Sequence, residues 1–253
     1  MAHCAHRRLG HASKRRVAVA TRLPAAGDDN GPMGNLYLVR HGQASFGTDD
    51  YDRLSDLGAR QCERLGEWFR GKGVVFEGMI TGTLKRHTQS FEAIARGMRV
   101  QPQALAMPGL NEYDSESIVR AVYPEPLERP KTAEDVRNHF RLLRDGLIAW
   151  MEGRTQPERM PSYEQFLGGV VDALDHVRTR HSGDVLIVSS GGPISTAVAH
   201  VLGAPPPAIV ELNLRMRNSA LTEFAFTPKR HSLITFNTLP HLEGSEASWV
   251  THT

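Results

Sequence analysis

The chain has 253 residues, 40% hydrophobic and 23% charged, with a net charge of +2. That length suits one larger α/β domain carrying an insertion better than two independent units, and no apolar run is long enough to span a bilayer, which excludes a helical membrane protein. The only cysteines, Cys4 and Cys62, exclude a disulfide framework or a cysteine-rich metal site and point to a reducing cytoplasm.

Six bases (Arg7, Arg8, Lys14, Arg15, Arg16, Arg22) face only Asp28 and Asp29 in residues 1–34, so this segment holds +4 and the rest, by difference, −2. Residues 1–33 lack the apolar centre of a secretory signal and read as a disordered basic extension, or as sequence ahead of a working start at Met33. The body has no basic face, which argues against nucleic acid as a partner but leaves room for a cationic pocket that holds a small anion.

From residue 34 to 253 the pattern is that of a single domain. Residues 35–39 form an apolar strand, followed by a helix in "LSDLGARQCERLGEWFRG" with Ser55 as N-cap and Leu57, Gln61, Leu65 and Trp68 on its inner face. A second strand covers 74–80 and a helix runs from Thr83 to Met98. Between 111 and 160 the strand signal disappears; the Pro-rich "YPEPLERP" and a helix from Ala133 to Met151 read as a helical insertion. A helix over 161–180, the very apolar strand "DVLIVSS" (184–190) and a helix at Pro193 come next, and "SALTEFAFT" and "HSLITFNTL" close the chain as two strands around the turn "PKR". Alternating strands and helices predict an α/β three-layer sandwich with a mostly parallel central sheet, the insertion lying over the strand carboxyl ends.

Ligands of such sheets sit beyond those carboxyl ends. Arg40, His41 and Gly42 end the first strand; Thr81 to Arg86 follow the second; Ser189, Ser190, Gly191 and Gly192 end the third. A guanidinium presents a planar fork to phosphate oxygens, an imidazole can attack phosphorus, and a glycine admits close backbone approach. Arg86 is a second candidate fork or, alternatively, an exposed helix cation. A serine-hydrolase elbow is disfavoured, since Val188 stands before Ser189 where G-x-S-x-G needs glycine. No His or carboxylate pair at i, i+4 near these strand ends calls for a metal.

These segments together resemble the histidine phosphatase superfamily, the phosphoglycerate-mutase-like branch I. "LYLVRHGQASF" is similar to its signature, "LSDLGARQ" to L-[ST]-x-x-G-x-x-Q, "TGTLKRHTQS" to S-x-L-x-R-x-x-Q-T, and "LNEYD" to its acidic block. "VSSGGPI" resembles V-S-H-G-G-x-I, and "NSALTEF" with "FNTLPHL" resembles its closing strands, so that the likeness runs from about Asn35 to Leu242. The resemblance implies a cofactor-free phosphatase acting on a small phosphorylated substrate. His41 would be the nucleophile that forms a phosphohistidine, Arg40 and Arg86 would grip the phosphoryl oxygens, and Glu112, rather than nearby Asp114, would be the proton donor. Gly42, Gln43, Ser190 and Gly191 would line the phosphate, with loop polarity the alternative for Gln43 and for Ser45. Gly191 and Gly192 would offer backbone N–H groups to the anion.

Ser190 is the departure, because the family places a second, charged histidine there. Two readings follow: a phosphatase of lowered activity, or a module that binds a phosphorylated ligand or protein without hydrolysing it. His87, His200 and His231 are candidate replacements for the lost ring, with structural roles as the alternative. If the pocket accommodates it, Ser190→His would raise turnover. A phosphoglycerate mutase is the weaker third reading, since Gly47 stands where such mutases place Asn and no E-R-H-Y-G counterpart is present.

Overall fold

The computed structural model describes residues 33–45, 52–125 and 132–252. The expectations for residues 1–32 and for Gly47 lie outside them. Among the described residues a six-stranded sheet runs in the order β3-β2-β4-β1-β5-β6. Its strands are β1 (Gly34–Arg40), β2 (Phe76–Thr81), β3 (Leu105–Ala106), β4 (Asp184–Ser189), β5 (Leu221–Phe226) and β6 (His231–Thr238). β1, β2, β3 and β4 are mutually parallel, while β5 and β6 add an antiparallel edge. The helices are α1 (Asp56–Lys72), α2 (Lys85–Met98), α3 (Ser115–Val122), α4 (Ala133–Met151), α5 (Tyr163–Arg180), α6 (Gly191–Leu202) and α7 (Pro206–Leu214). None is long and apolar enough to cross a membrane.

The three layers follow from the period of two along each strand. Leu36, Leu38, Val185 and Ile187 point to one side, into a core with Phe166, Val170 and Leu174 of α5 and Ile194 and Val198 of α6. Val39, Leu186 and Val188 point to the other, against Leu65 and Phe69 of α1 and Ile94 of α2. The insertion joins the first core through Ile118 and Val119 of α3 and Leu147 and Trp150 of α4. Both of these helices start at side-chain caps: Asp114 accepts from the Glu116 and Ser117 N–H groups, and Thr132 with Asp135 forms a capping box.

The inner face of α1 differs from the expected one. Gln61 and Leu65 are buried, but Leu57 and Trp68 are only partly so, and the fully covered stripe runs through Gly58, Cys62, Gly66 and Phe69. The cause is a backbone contact with α2. A Cβ on Gly66 would lie 2.0 Å from the Ile94 carbonyl oxygen, and one on Gly97 would lie 2.0 Å from that of Glu63. Glycines at a helix crossing let the axes approach, and a hydrophobicity pattern does not register them.

That contact makes two alanine substitutions in the same helix act in opposite directions. Gly66→Ala gains about 1 kcal/mol of helix propensity but overpacks against backbone at 2.0 Å, which costs about 3 kcal/mol, the upper end of the usual range, so net destabilisation of about 2 kcal/mol is expected. Gly71 has nothing within 4 Å of a prospective Cβ, and Gly71→Ala should stabilise by about 0.5–1 kcal/mol. Urea unfolding of both variants checks the sign of each change.

Candidate active site

Register brings the three strand ends together. Arg40 pairs with Ser189 and Thr81 with Val188, so His41 emerges level with Ser190, and Gly82, one residue behind, level with Ser189. The turn out of β1 is tied down on all sides. His41 N–H donates to Ser189 O (2.8 Å), and His41 O accepts from the Ser219 N–H (3.1 Å) and the Asn218 side chain (3.5 Å). Ser219, at φ 55°, is in turn held by His241 Nε2 at 2.9 Å.

Gly42 is where the turn crosses α1. A Cβ there would lie 2.3 Å from Gly58 O, and a Cβ on Gly58 would lie 2.2 Å from Gln43 O, so the two glycines permit each other. The Gly42 N–H donates to Ser90 Oγ (3.1 Å), which itself donates to Arg86 O (2.6 Å). Gln43 is bound into the start of α1: its N–H donates to Gln61 Oε1, and its Oε1 accepts from Ser55 Oγ, each at 2.9 Å. Ser45 Oγ donates to Leu54 O (3.0 Å).

His41 is buried, and its Nδ1 lies 2.7 Å from Gly42 O. A carbonyl oxygen only accepts, so Nδ1 carries the hydrogen and Nε2 keeps its lone pair. Burial, then Arg40, Arg86 and His87, hold His41 well below the ordinary histidine pKa. A neutral imidazole with a free Nε2 lone pair is the form that can attack phosphorus.

Arg40 donates from Nη1 to the Met216 carbonyl. Arg86, in the first turn of α2, is buried and pairs with Asp52 at 2.7 Å; Asp52 also accepts from the Lys85 N–H at 2.9 Å. Glu112 is partly buried on the loop before α3, where both its carboxyl oxygens accept from the Gly192 N–H at 3.1 Å and Oε1 accepts from the Tyr113 N–H at 3.3 Å. Burial raises its pKa, against the lowering effect of the Gly192 bond, Arg86 and Arg40. A Cβ on Gly192 would lie 2.1 Å from Glu112 Oε1, and one on Gly191 would lie 2.4 Å from Asn213 Oδ1, so the double glycine makes room for the acid. The Gly192 N–H at the start of α6 is therefore directed at Glu112. Asn213 donates to Tyr113 Oη (2.6 Å), steadying the same loop.

The sequence candidates His41, Arg40, Arg86, Glu112, Ser190 and Gly191 thus meet at one end of the sheet, while Asp114 caps α3 and Gln43 supports the turn. Sequence reasoning missed Asp52, for which there is no local signal, and did not place His87. The His87 ring is buried 5.9 Å from that of His41, with Nε2 2.7 Å from Ser190 Oγ. His200 is exposed in the last turn of α6. His231 packs on Phe224 and Phe226 beside the Gly34 end of β1, opposite the site. Because Ser190 is fully buried against His87, a ring introduced by Ser190→His alone would collide, and the gain in turnover expected above is not to be looked for in that single variant. Among the described residues no cluster of three or more His, Cys, Asp or Glu side chains could hold a metal ion.

The sequence profile of the histidine phosphatase superfamily (branch 1) matches residues 36–239, and the chain belongs to that superfamily. No curated protein matches the chain. Among solved structures it is similar to a phosphoserine phosphatase mutant from Entamoeba histolytica in complex with phosphoserine, at 18% identity and a TM-score of 0.60 over 83% of this chain and 99% of that one. It is similar to a phosphoglycerate mutase from Bacillus anthracis at 13% identity and TM-score 0.61, over 88% and 100%. A third likeness is to a putative alpha-ribazole-5'-P phosphatase from Escherichia coli, at 20% and 0.58, over 81% and 96%.

The neutral histidines make stability pH-dependent. Unfolded histidines titrate near pH 6.5, whereas His87 and His241 are pushed down to about 3 and His41 falls well below its ordinary value, all chiefly by burial. Folded pKa values lie below the unfolded ones, so the unfolded chain binds more protons in acid. The contribution is complete above about pH 6.5 and lost as pH falls towards the folded values, by up to about 1.4 kcal/mol per pH unit for each such histidine. Urea unfolding between pH 7 and pH 5, above most carboxylate titration, should show a steep fall; a flat profile would place charged histidines in the folded state.

Proposed function

We propose that the chain hydrolyses a small phosphate ester through a phosphohistidine on His41. The observation that carries this reading is the His41 tautomer: Nδ1–H given to Gly42 O, with the ring held neutral and Nε2 left to attack. Nε2 forms a bond to phosphorus as the ester P–O bond breaks. Glu112, its pKa raised by burial, transfers its proton to the leaving oxygen, and its carboxylate then takes a proton from the water that cleaves the N–P bond. Inorganic phosphate leaves, and His41 returns to its neutral form. Arg40 and Arg86 supply the charge that positions the phosphoryl group and shares its negative charge.

Membership of the superfamily and likeness to structures named for phosphoserine, phosphoglycerate and ribazole-phosphate chemistry support a small phosphorylated substrate. The cytoplasm is the compartment we assign, in which the buried thiol of Cys62 stays reduced. A non-catalytic phosphate-binding module remains the second reading, favoured by Ser190 in place of a charged histidine.

Phosphate release from a panel of esters, measured alongside vanadate binding, separates the two. His41→Ala should lose at least about a thousandfold in kcat and Glu112→Gln about 10²–10⁴-fold, both folded and still binding vanadate. Binding by the parent without release on any ester would favour the module, and undiminished release by His41→Ala would remove His41 as nucleophile.

A further inference from the structure

The pair His87 and Ser190 invites a role. Ser190 is the N-cap of α6, a position where a serine hydroxyl ordinarily accepts from the helix's first free N–H groups, yet it makes no such bond. Its hydroxyl is 2.7 Å from His87 Nε2 instead. The ring is accommodated by Gly82, whose Cβ, if present, would lie 2.2 Å from His87 Nδ1. Both side chains are fully buried, and the His87 ring is 5.9 Å from the ring of the nucleophile.

The hydrogen positions follow from what each nitrogen faces. Nδ1 has no hydrogen-bond partner. A hydrogen there would be a buried orphan donor, which folded proteins rarely tolerate, whereas a hydrogen on Nε2 is satisfied by Ser190 Oγ and leaves only an unused lone pair on Nδ1. With its oxygen accepting from His87, the Ser190 hydroxyl keeps its own hydrogen for an acceptor that comes between it and His41, which on the phosphatase reading is a phosphoryl oxygen.

We propose that His87 and Ser190 together replace the missing second histidine, with His87 Nε2–H donating to Ser190 Oγ and Ser190 O–H donating to the phosphoryl oxygen in the transition state. Ser190 is the catalytic contact and His87 a positioning residue that fixes the direction of the hydroxyl. Burial and Arg86 keep His87 neutral, with a pKa of about 3, so the pair acts as two polarised dipoles in series rather than as a cation. The inference rests on the phosphatase reading, but its test does not require turnover.

The experiment measures affinity for orthovanadate, which adopts the five-coordinate geometry of the transition state, and for inorganic phosphate, which does not. The parent, His87→Leu, His87→Gln and Ser190→Ala are compared, with melting temperature as the folding control and ester hydrolysis followed in parallel. His87→Leu and Ser190→Ala should each lose at least about tenfold in vanadate affinity and, where hydrolysis is seen, in kcat, with phosphate affinity and KM changing less than about threefold. His87→Gln, a neutral side chain that can place an N–H near the position of Nε2, should recover most of the loss. Unchanged vanadate affinity in a folded His87→Leu or in Ser190→Ala overturns the proposal. So does a His87→Gln protein as impaired as His87→Leu, which would assign the ring a charge. If His87→Leu does not fold, Ser190→Ala still decides. Failure of the parent to hydrolyse any ester counts against the phosphatase reading and leaves the vanadate comparison intact.

Discussion

A carbonyl oxygen, that of Gly42, accepts the Nδ1 hydrogen of His41 at 2.7 Å, and much of the surrounding structure keeps those two groups in that relation. The turn that carries them is bonded to β4 through Ser189, to the turn before β5 through Asn218 and Ser219, and to α2 through Ser90. It also lies directly on the backbone of α1, where Gly42 and Gly58 exclude any side chain. Four separate segments thus converge on one imidazole, which fixes both its direction and its tautomer before any ligand arrives. On the proposed function, such preorganisation would remove from the chemical step the work of orienting the attacking nitrogen.

Around that ring the charges are arranged in opposition. Burial, aided by two guanidiniums, keeps His41 neutral, while burial without full compensation keeps the Glu112 proton in place at a higher pH than an exposed carboxyl would hold it. Arg86 is held by Asp52 in a partly buried ion pair, with side-chain exposures of 11% and 31%. A phosphoryl dianion exceeds a single carboxylate in charge and in acceptor number, so on the proposed function a bound phosphate would compete with Asp52 for the Arg86 guanidinium. The double glycine of α6 serves the acid: it brings an N–H to Glu112 and leaves the volume the acid and Tyr113 fill.

Much of this was legible in the sequence for physical reasons that can be named. The α/β alternation, five of the six strands and the insertion helix at 133–151 follow from strong periodicity over long segments. β3, two residues long, and the short helices α3 and α7 are too brief to show a period, and the face of α1 was displaced because Gly58 and Gly66 bury backbone rather than side chain. Arg40, His41, Arg86, Glu112 and Ser190 could be chosen because strand ends and motif spacing put them at one end of the sheet. Asp52 could not, since its role depends on a neighbour 34 residues away that nothing local announces. His87 could be noticed but not placed, because a residue adjacent to Arg86 on a helix points some 100° away from it, and only the packing of Gly82 and Ser190 shows that this direction leads into the site.

Ring nitrogen NMR on protein labelled with ¹⁵N-histidine reads the protonation state of His41 directly. A single neutral tautomer is expected at pH 7, with Nδ1 bearing the hydrogen and Nε2 showing the shift of an unprotonated nitrogen, and with that pattern persisting as the pH is lowered towards the limit of the fold. An imidazolium signal for His41 at neutral pH, or a hydrogen found on Nε2, would contradict it.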